Sequence, residues 1–211
     1  MKNKFISKVF AWLCIGLLIT FGIGYAVTLN EELTYLLLSN WGIISIIEVI
    51  SCIVLTIFIN KMSNTTAKLL YLLHCALTGV TFTAVFLAFE LTSILWVILA
   101  TAIIFGVFAA IGSKLKIDLS GFGTFLLIAL LGILVLTLLN IFLLDSALNM
   151  TISFVSIFIF SGYIAYDMNR IIKLSHFELD DKYAVFWAFE LYLDIINIIL
   201  DLLNLTGNSR D

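Results

Sequence analysis

Apolar residues run in seven long blocks along the chain, at about 9–29, 36–59, 69–89, 93–112, 122–144, 149–172 and 183–205, separated by short polar breaks. About 20 apolar residues in helical form span the hydrocarbon of a bilayer, so the pattern predicts seven membrane helices. Short breaks make consecutive helices antiparallel neighbours, in one seven-helix domain covering residues 1–211. Proline is absent, so any break within a helix must come from glycine or from polar side chains. Gly16, Thr20 and Gly24 in the first block, and Ala109 with Ser113 in the fourth, place small residues four apart, as close helix contact requires. Asp118 and Ser120 have the side chains of caps for the fifth helix.

The seventh block differs from the rest. Between Trp187 and Leu205 it carries Glu190, Asp194, Asn197, Asp201 and Asn204, spaced 4, 3, 4 and 3. On a helix that spacing collects all five on one stripe. An ionised carboxylate facing lipid costs ~2.5–3.5 kcal/mol even on the lenient insertion scale, so the stripe must face protein, water or a cation. Two further acids lie within apolar blocks, Glu48 in the second and Asp167 near the end of the sixth.

Composition agrees with the pattern. With 63% hydrophobic residues, 12% charged and a mean hydropathy of +1.18, the chain is a polytopic membrane protein and not a soluble domain. A net charge of −3 leaves no basic patch for nucleic acid. Cys14, Cys52 and Cys75 lie in apolar blocks without metal-ligand spacing and read as buried small residues; His74 reads as a hydrogen-bonded interior residue and His176 as part of a polar loop. Lys2, Lys4 and Lys8 precede the first block in the charge order of a signal peptide. The block is too long for an h-region and no small-residue cleavage site follows, so it is expected to be a retained helix.

The basic residues predict orientation. Lys2, Lys4, Lys8, Lys61, Lys68, Lys114, Lys116, Arg170, Lys173 and Lys182 fall on one side, ten of the chain's 11 cations. The opposite connections hold Glu31, Glu32, Glu90 and Asp145, and only Arg210 in the tail breaks the asymmetry. The positive-inside rule then places the N-terminus in the cytoplasm. Seven crossings leave the C-terminus outside.

The five intramembrane carboxyls face no intramembrane Lys or Arg. Ionised and unpaired together they would cost ~12–18 kcal/mol, more than most domains have in stability. Some must be protonated, hydrated or shared with a cation. A hairpin turning between Asp180 and Asp181 sets Asp167 level with Asp194; a turn nearer Phe177 favours Glu190 instead. By the same counting Glu48 could share a level with Asp194. Two carboxylates within ~4–6 Å resist being ionised together and titrate as a unit. Ca²⁺ reverses that preference, because it takes several carboxylate and carbonyl oxygens and favours the ionised forms. Protons and Ca²⁺ would then compete for one site. The structural alternative is that the acids are neutral and serve as interhelical hydrogen-bond glue.

At these residues the chain resembles the transmembrane Bax inhibitor motif family, especially its bacterial calcium-leak members. The resemblance rests on Ser45-Ile-Ile-Glu48-Val, Gly112-Ser-Lys-Leu-Lys-Ile-Asp118-Leu-Ser120, Tyr166-Asp167-Met-Asn169 and Leu191-Tyr192-Leu-Asp194-Ile-Ile-Asn197, and covers essentially the whole chain. It implies an all-α fold of seven transmembrane helices with the last one central within a ring of six. It also implies a di-aspartyl pH sensor at Asp167 and Asp194 that holds Ca²⁺ transiently, and Glu48 as an acidic pore-lining residue. Glu190, Asn197 and Asp201 would continue the ion path, with a response between roughly pH 6 and 8 taken from the resemblance. Bacterial relatives carry arginines where the second helix meets the cytoplasm, thought to latch the closed pair; here the segment reads Ile59-Asn60-Lys61-Met62-Ser63. Lys61 replaces such a latch only in part, since an ammonium lacks the bidentate fork.

The expectation is a calcium leak channel in the cell membrane, a monomer without cofactor or enzymatic activity, with calcium ions, protons and the bilayer as partners. A proton-coupled cation transporter is the alternative, although the blocks show no inverted repeat. An intramembrane aspartyl protease is a weaker one, because Leu191-Tyr192-Leu193 stands where a helix-loosening Gly-x-Gly would precede the second aspartate. A retinal protein needs a lysine within the seventh helix, and none is there.

Overall fold

The computed structural model describes residues 2–117 and 119–207. Eight α-helices and a 3₁₀ turn follow in order: α1 Lys2–Thr28, α2 Glu31–Ser39, α3 Trp41–Phe58, the 3₁₀ turn Ile59–Lys61, α4 Asn64–Ala88, α5 Leu91–Lys114, α6 Ser120–Leu143, α7 Ser146–Leu174 and α8 Asp181–Thr206. All but α2 are long and apolar enough to cross a membrane, giving seven candidate spans. The chain is an all-α polytopic membrane protein. Its large exposed side chains are mostly Leu, Ile, Val, Phe and Trp on these spans, as lipid contact requires.

One boundary differs from the apolar pattern. The block at 36–59 is divided at Asn40, and the span begins only at Trp41. The Asn40 side-chain amide donates to Leu36 O at 2.8 Å and its backbone N–H turns back to Leu37 O at 3.1 Å, ending α2 there. Asn30 opens α2 by accepting from Leu33 N at 3.0 Å, and no residue of α2 is buried. Asp118, expected as a cap of α6, lies outside the described residues, as does Arg210. Leu119 occupies the cap position of that helix.

The described residues divide into two compact units, 2–90 with 175–192, and 91–117 and 119–174 with 193–207. In the first, α1 packs on α4 along the expected small-residue stripe. A Cβ at Gly24 would lie 3.0 Å from Gly79 O, and one at Gly79 would lie 2.9 Å from Thr20 O. Thr20 Oγ1 donates to Cys75 O at 3.0 Å and meets the Tyr192 hydroxyl at 2.6 Å. In the second unit, α5 and α6 pack on α7. A Cβ at Gly112 would collide with the Ala165 carbonyl, and one at Gly123 would lie 2.5 Å from the Tyr166 ring, so glycine sets both approaches. Asn169 on α7 holds the end of α5, its amide donating to Gly112 O at 3.2 Å and Leu115 O at 2.6 Å.

Helix α8 contributes to both units, its residues up to Tyr192 to the first and from Leu193 to the second. Of its membrane window 67% is buried, against 6% for α6. This explains how the chain can carry an acidic stripe there and nowhere else.

Candidate functional site

Glu48 sits half-buried on α3. Its Oε1 accepts from Thr78 Oγ1 of α4 at 2.6 Å. One turn on, Ser51 Oγ donates to Glu48 O at 2.7 Å and lies 2.8 Å from His74 Nδ1. The Ser51 hydroxyl has one hydrogen and the Glu48 carbonyl takes it, so His74 donates from Nδ1 and leaves Nε2 a bare lone pair. That nitrogen is buried without a hydrogen-bond partner, the ring standing edge-on to Phe189 at 5.1 Å and Tyr192 at 6.0 Å. His74 is thus the hydrogen-bonded interior residue expected of it. Glu48 and Glu190 both belong to the first unit. Cys75 is buried, as expected; Cys14 is exposed and Cys52 intermediate.

Asp167 on α7 and Asp194 on α8 are each 5% exposed, and both belong to the second unit. The connection between their helices runs over residues 175–180, because Asp181 already begins α8. Its centre is therefore near Phe177, and the symmetric turn between Asp180 and Asp181 is not formed. Equal counting from that centre would have favoured Glu190, which belongs to the other unit. Asn197 is half-buried, its amide donating to Leu193 O at 2.7 Å. Further along, Ser153 Oγ accepts from Asn204 Nδ2 at 2.7 Å, and Asn149 Nδ2 donates to Asn204 Oδ1 at 2.9 Å. The stripe is thus graded, with Asp194 its buried member and Asn204 its exposed one.

Lys61 is exposed, with its ammonium 5.8 Å from the Phe58 ring centroid. A different lysine is built into the junction between α8 and the turn after α3. Lys182 is 9% exposed and donates from Nζ to Asn60 O at 3.0 Å and Met62 O at 3.1 Å. Its backbone N–H donates to Asn64 Oδ1 at 3.0 Å, and the Tyr183 hydroxyl meets Asn60 Oδ1 at 3.1 Å. These contacts tie the start of α8 to the turn between α3 and α4. In sequence Lys182 is one of ten cations on one side of the spans, marked off only by its place in the first turn of the acidic helix.

The sequence model of the family described as inhibitor of apoptosis-promoting Bax1 matches residues 2–211. The chain belongs to the Bax inhibitor family. Among its relatives, an uncharacterized protein of Deinococcus radiodurans is 36% identical over 213 aligned positions, covering 99% of this chain and 92% of its own. One of Borreliella burgdorferi is 36% identical over 219, covering 100% and 94%. The inner membrane protein YbhL of Escherichia coli K12 is 33% identical over 219, covering 99% and 93%. Membership of the Bax inhibitor family thus extends over the whole seven-span chain and includes both groups of acids.

Proposed function

We propose that this Bax inhibitor family protein lets Ca²⁺ pass down its gradient, through a path lined by Glu48, Glu190, Asn197 and Asp201. Protonation of Asp167 and Asp194 gates it. The observation that carries the reading is the burial of both aspartates, each 5% exposed, within one compact unit of a membrane protein. Carboxyls so placed exchange protons and bind divalent cations competitively, and acid-lined constrictions select cations. No chemical step is required, and the protein works as a monomer without a cofactor.

The full chain in proteoliposomes loaded with a calcium indicator tests this. Flux should rise in proportion to the gradient without saturating, and calcium on the far side should not stimulate it. Saturation with exchange would assign a proton-coupled transporter instead.

In this reading the protein sits in the cell membrane with its N-terminus in the cytoplasm, which the distribution of its cations supports, ten of 11 on one side. Single cysteines at the exposed Thr65 and His176, in a cysteine-free background, should be labelled only from the cytoplasm, and one at Glu31 only from outside. Ser175, 1% exposed, is unsuited to the purpose. Labelling of Thr65 from outside would reverse the orientation.

A further inference from the structure

At the cytoplasmic end of the first unit, a cavity of about 360 Å³ is lined by Lys4, Phe5 and Lys8 of α1, by Phe177 to Asp181, and by Ala184 of α8. The volume is in the range of small-molecule pockets, ~300–1,000 Å³. Its charges are not all spent on one another. Lys8 Nζ lies 2.5 Å from Asp181 Oδ1 and Lys68 Nζ 3.5 Å from Asp181 Oδ2, so Asp181 is satisfied from within. Lys4, Glu178 and Asp180 line the same cavity, and among the described residues none of the three has an ion-pair partner. One unpaired cation and two unpaired carboxylates therefore face one space, beside the apolar Phe5, Phe177 and Leu179.

We propose that this cavity binds the headgroup of a zwitterionic phospholipid bearing a primary ammonium, of the phosphatidylethanolamine class. Lys4 takes the phosphate as a charge-assisted hydrogen bond. Glu178 and Asp180 take the ammonium, whose three N–H donors match two carboxylates. A choline headgroup carries the same charge but offers no donor, and the surplus carboxylate disfavours an anionic headgroup. The level in the bilayer is also right. Lys4 is the first residue of the first membrane span, and Phe177, 66% exposed, lies on the adjoining connection where its ring can enter the acyl boundary. The inference does not rest on the calcium reading.

The test is lipid retention by the full chain, purified in detergent and offered phosphatidylethanolamine, phosphatidylcholine and phosphatidylglycerol of one acyl composition, read by native mass spectrometry. Phosphatidylethanolamine should be retained about tenfold over either competitor. The double substitution Glu178→Gln with Asp180→Asn should erase the preference, and so should Lys4→Gln alone. These side chains are exposed, so helix content and elution volume should be unchanged, while Glu31→Gln on the opposite side should keep the preference intact. Equal or better retention of phosphatidylglycerol, or a preference that survives the double substitution, would overturn the assignment. Soluble glycerophosphoethanolamine supplies the same charges without chains. If it raised the melting temperature as much as the lipid does, the ligand would be a cytosolic one and the lipid assignment would fail.

Discussion

Glu48→Gln should lower calcium flux in proteoliposomes about tenfold while leaving the fold intact. The substitution keeps an acceptor where Oε1 receives the Thr78 hydroxyl at 2.6 Å, and leaves untouched the Ser51 bond to the backbone carbonyl. Only the charge is removed. At an effective dielectric near 20, a carboxylate several ångströms from a divalent cation contributes a few kcal/mol, and ~1.4 kcal/mol of lost attraction is already tenfold. Thr78→Val separates charge from hydrogen bonding: it deprives the carboxylate of a donor but keeps its charge, so flux should fall far less. Unchanged flux in Glu48→Gln would make Glu48 a packing residue held by α4, and the path would have to lie elsewhere.

The response of flux to pH should flatten in Asp167→Asn and, separately, in Asp194→Asn. Both acids are 5% exposed, and both substitutions keep side-chain volume and hydrogen-bonding capacity while removing the exchangeable proton. In the wild type, flux should be small in acid, where both carboxyls carry protons, and should respond over roughly pH 6 to 8, the interval the family resemblance implies. Losing the second proton creates repulsion between α7 and α8, and one pK unit of coupling is ~1.4 kcal/mol available to bias a two-state packing. Acids that titrate as a unit act as one switch, so the double substitution should match either single one. If each single variant kept the wild-type pH midpoint, the two aspartates would not be the sensor, and Glu190 with Asp194 would be the next pair to test.

Hydrophobic periodicity located all seven spans, because a run of 20 apolar residues has few other places to fold. It failed at Asn40, where Leu36, Leu37 and Leu38 continue the apolar run and only the local hydrogen bonds of the asparagine show that the span starts later. The acidic stripe was legible as a stripe, since helical spacing is a local property. Its gradation was not, because the depth of Asp194 relative to Asn204 is decided by residues far away in sequence. The partners of Glu48 were equally hidden. Thr78 and His74 are ordinary residues of an apolar helix until α3 and α4 pack and bring 30 residues of separation down to a hydrogen bond. The expectation that Asp167 pairs with Asp194 comes from the family resemblance, and counting from the centre of the connection near Phe177 favours Glu190 instead.

The Lys182 contacts have a mechanical meaning. Four hydrogen bonds join the first turn of α8 to residues 60–64: two from the ammonium, one from the backbone N–H and one at the Tyr183 hydroxyl. Summed at typical net values, with the charged ones stronger, they resist separation by on the order of 4–9 kcal/mol. The start of α8 and the α3–α4 turn therefore behave as one rigid body, like a crank fixed to its shaft. A displacement of that first turn would therefore pull on the foot of α3, the helix that carries Glu48.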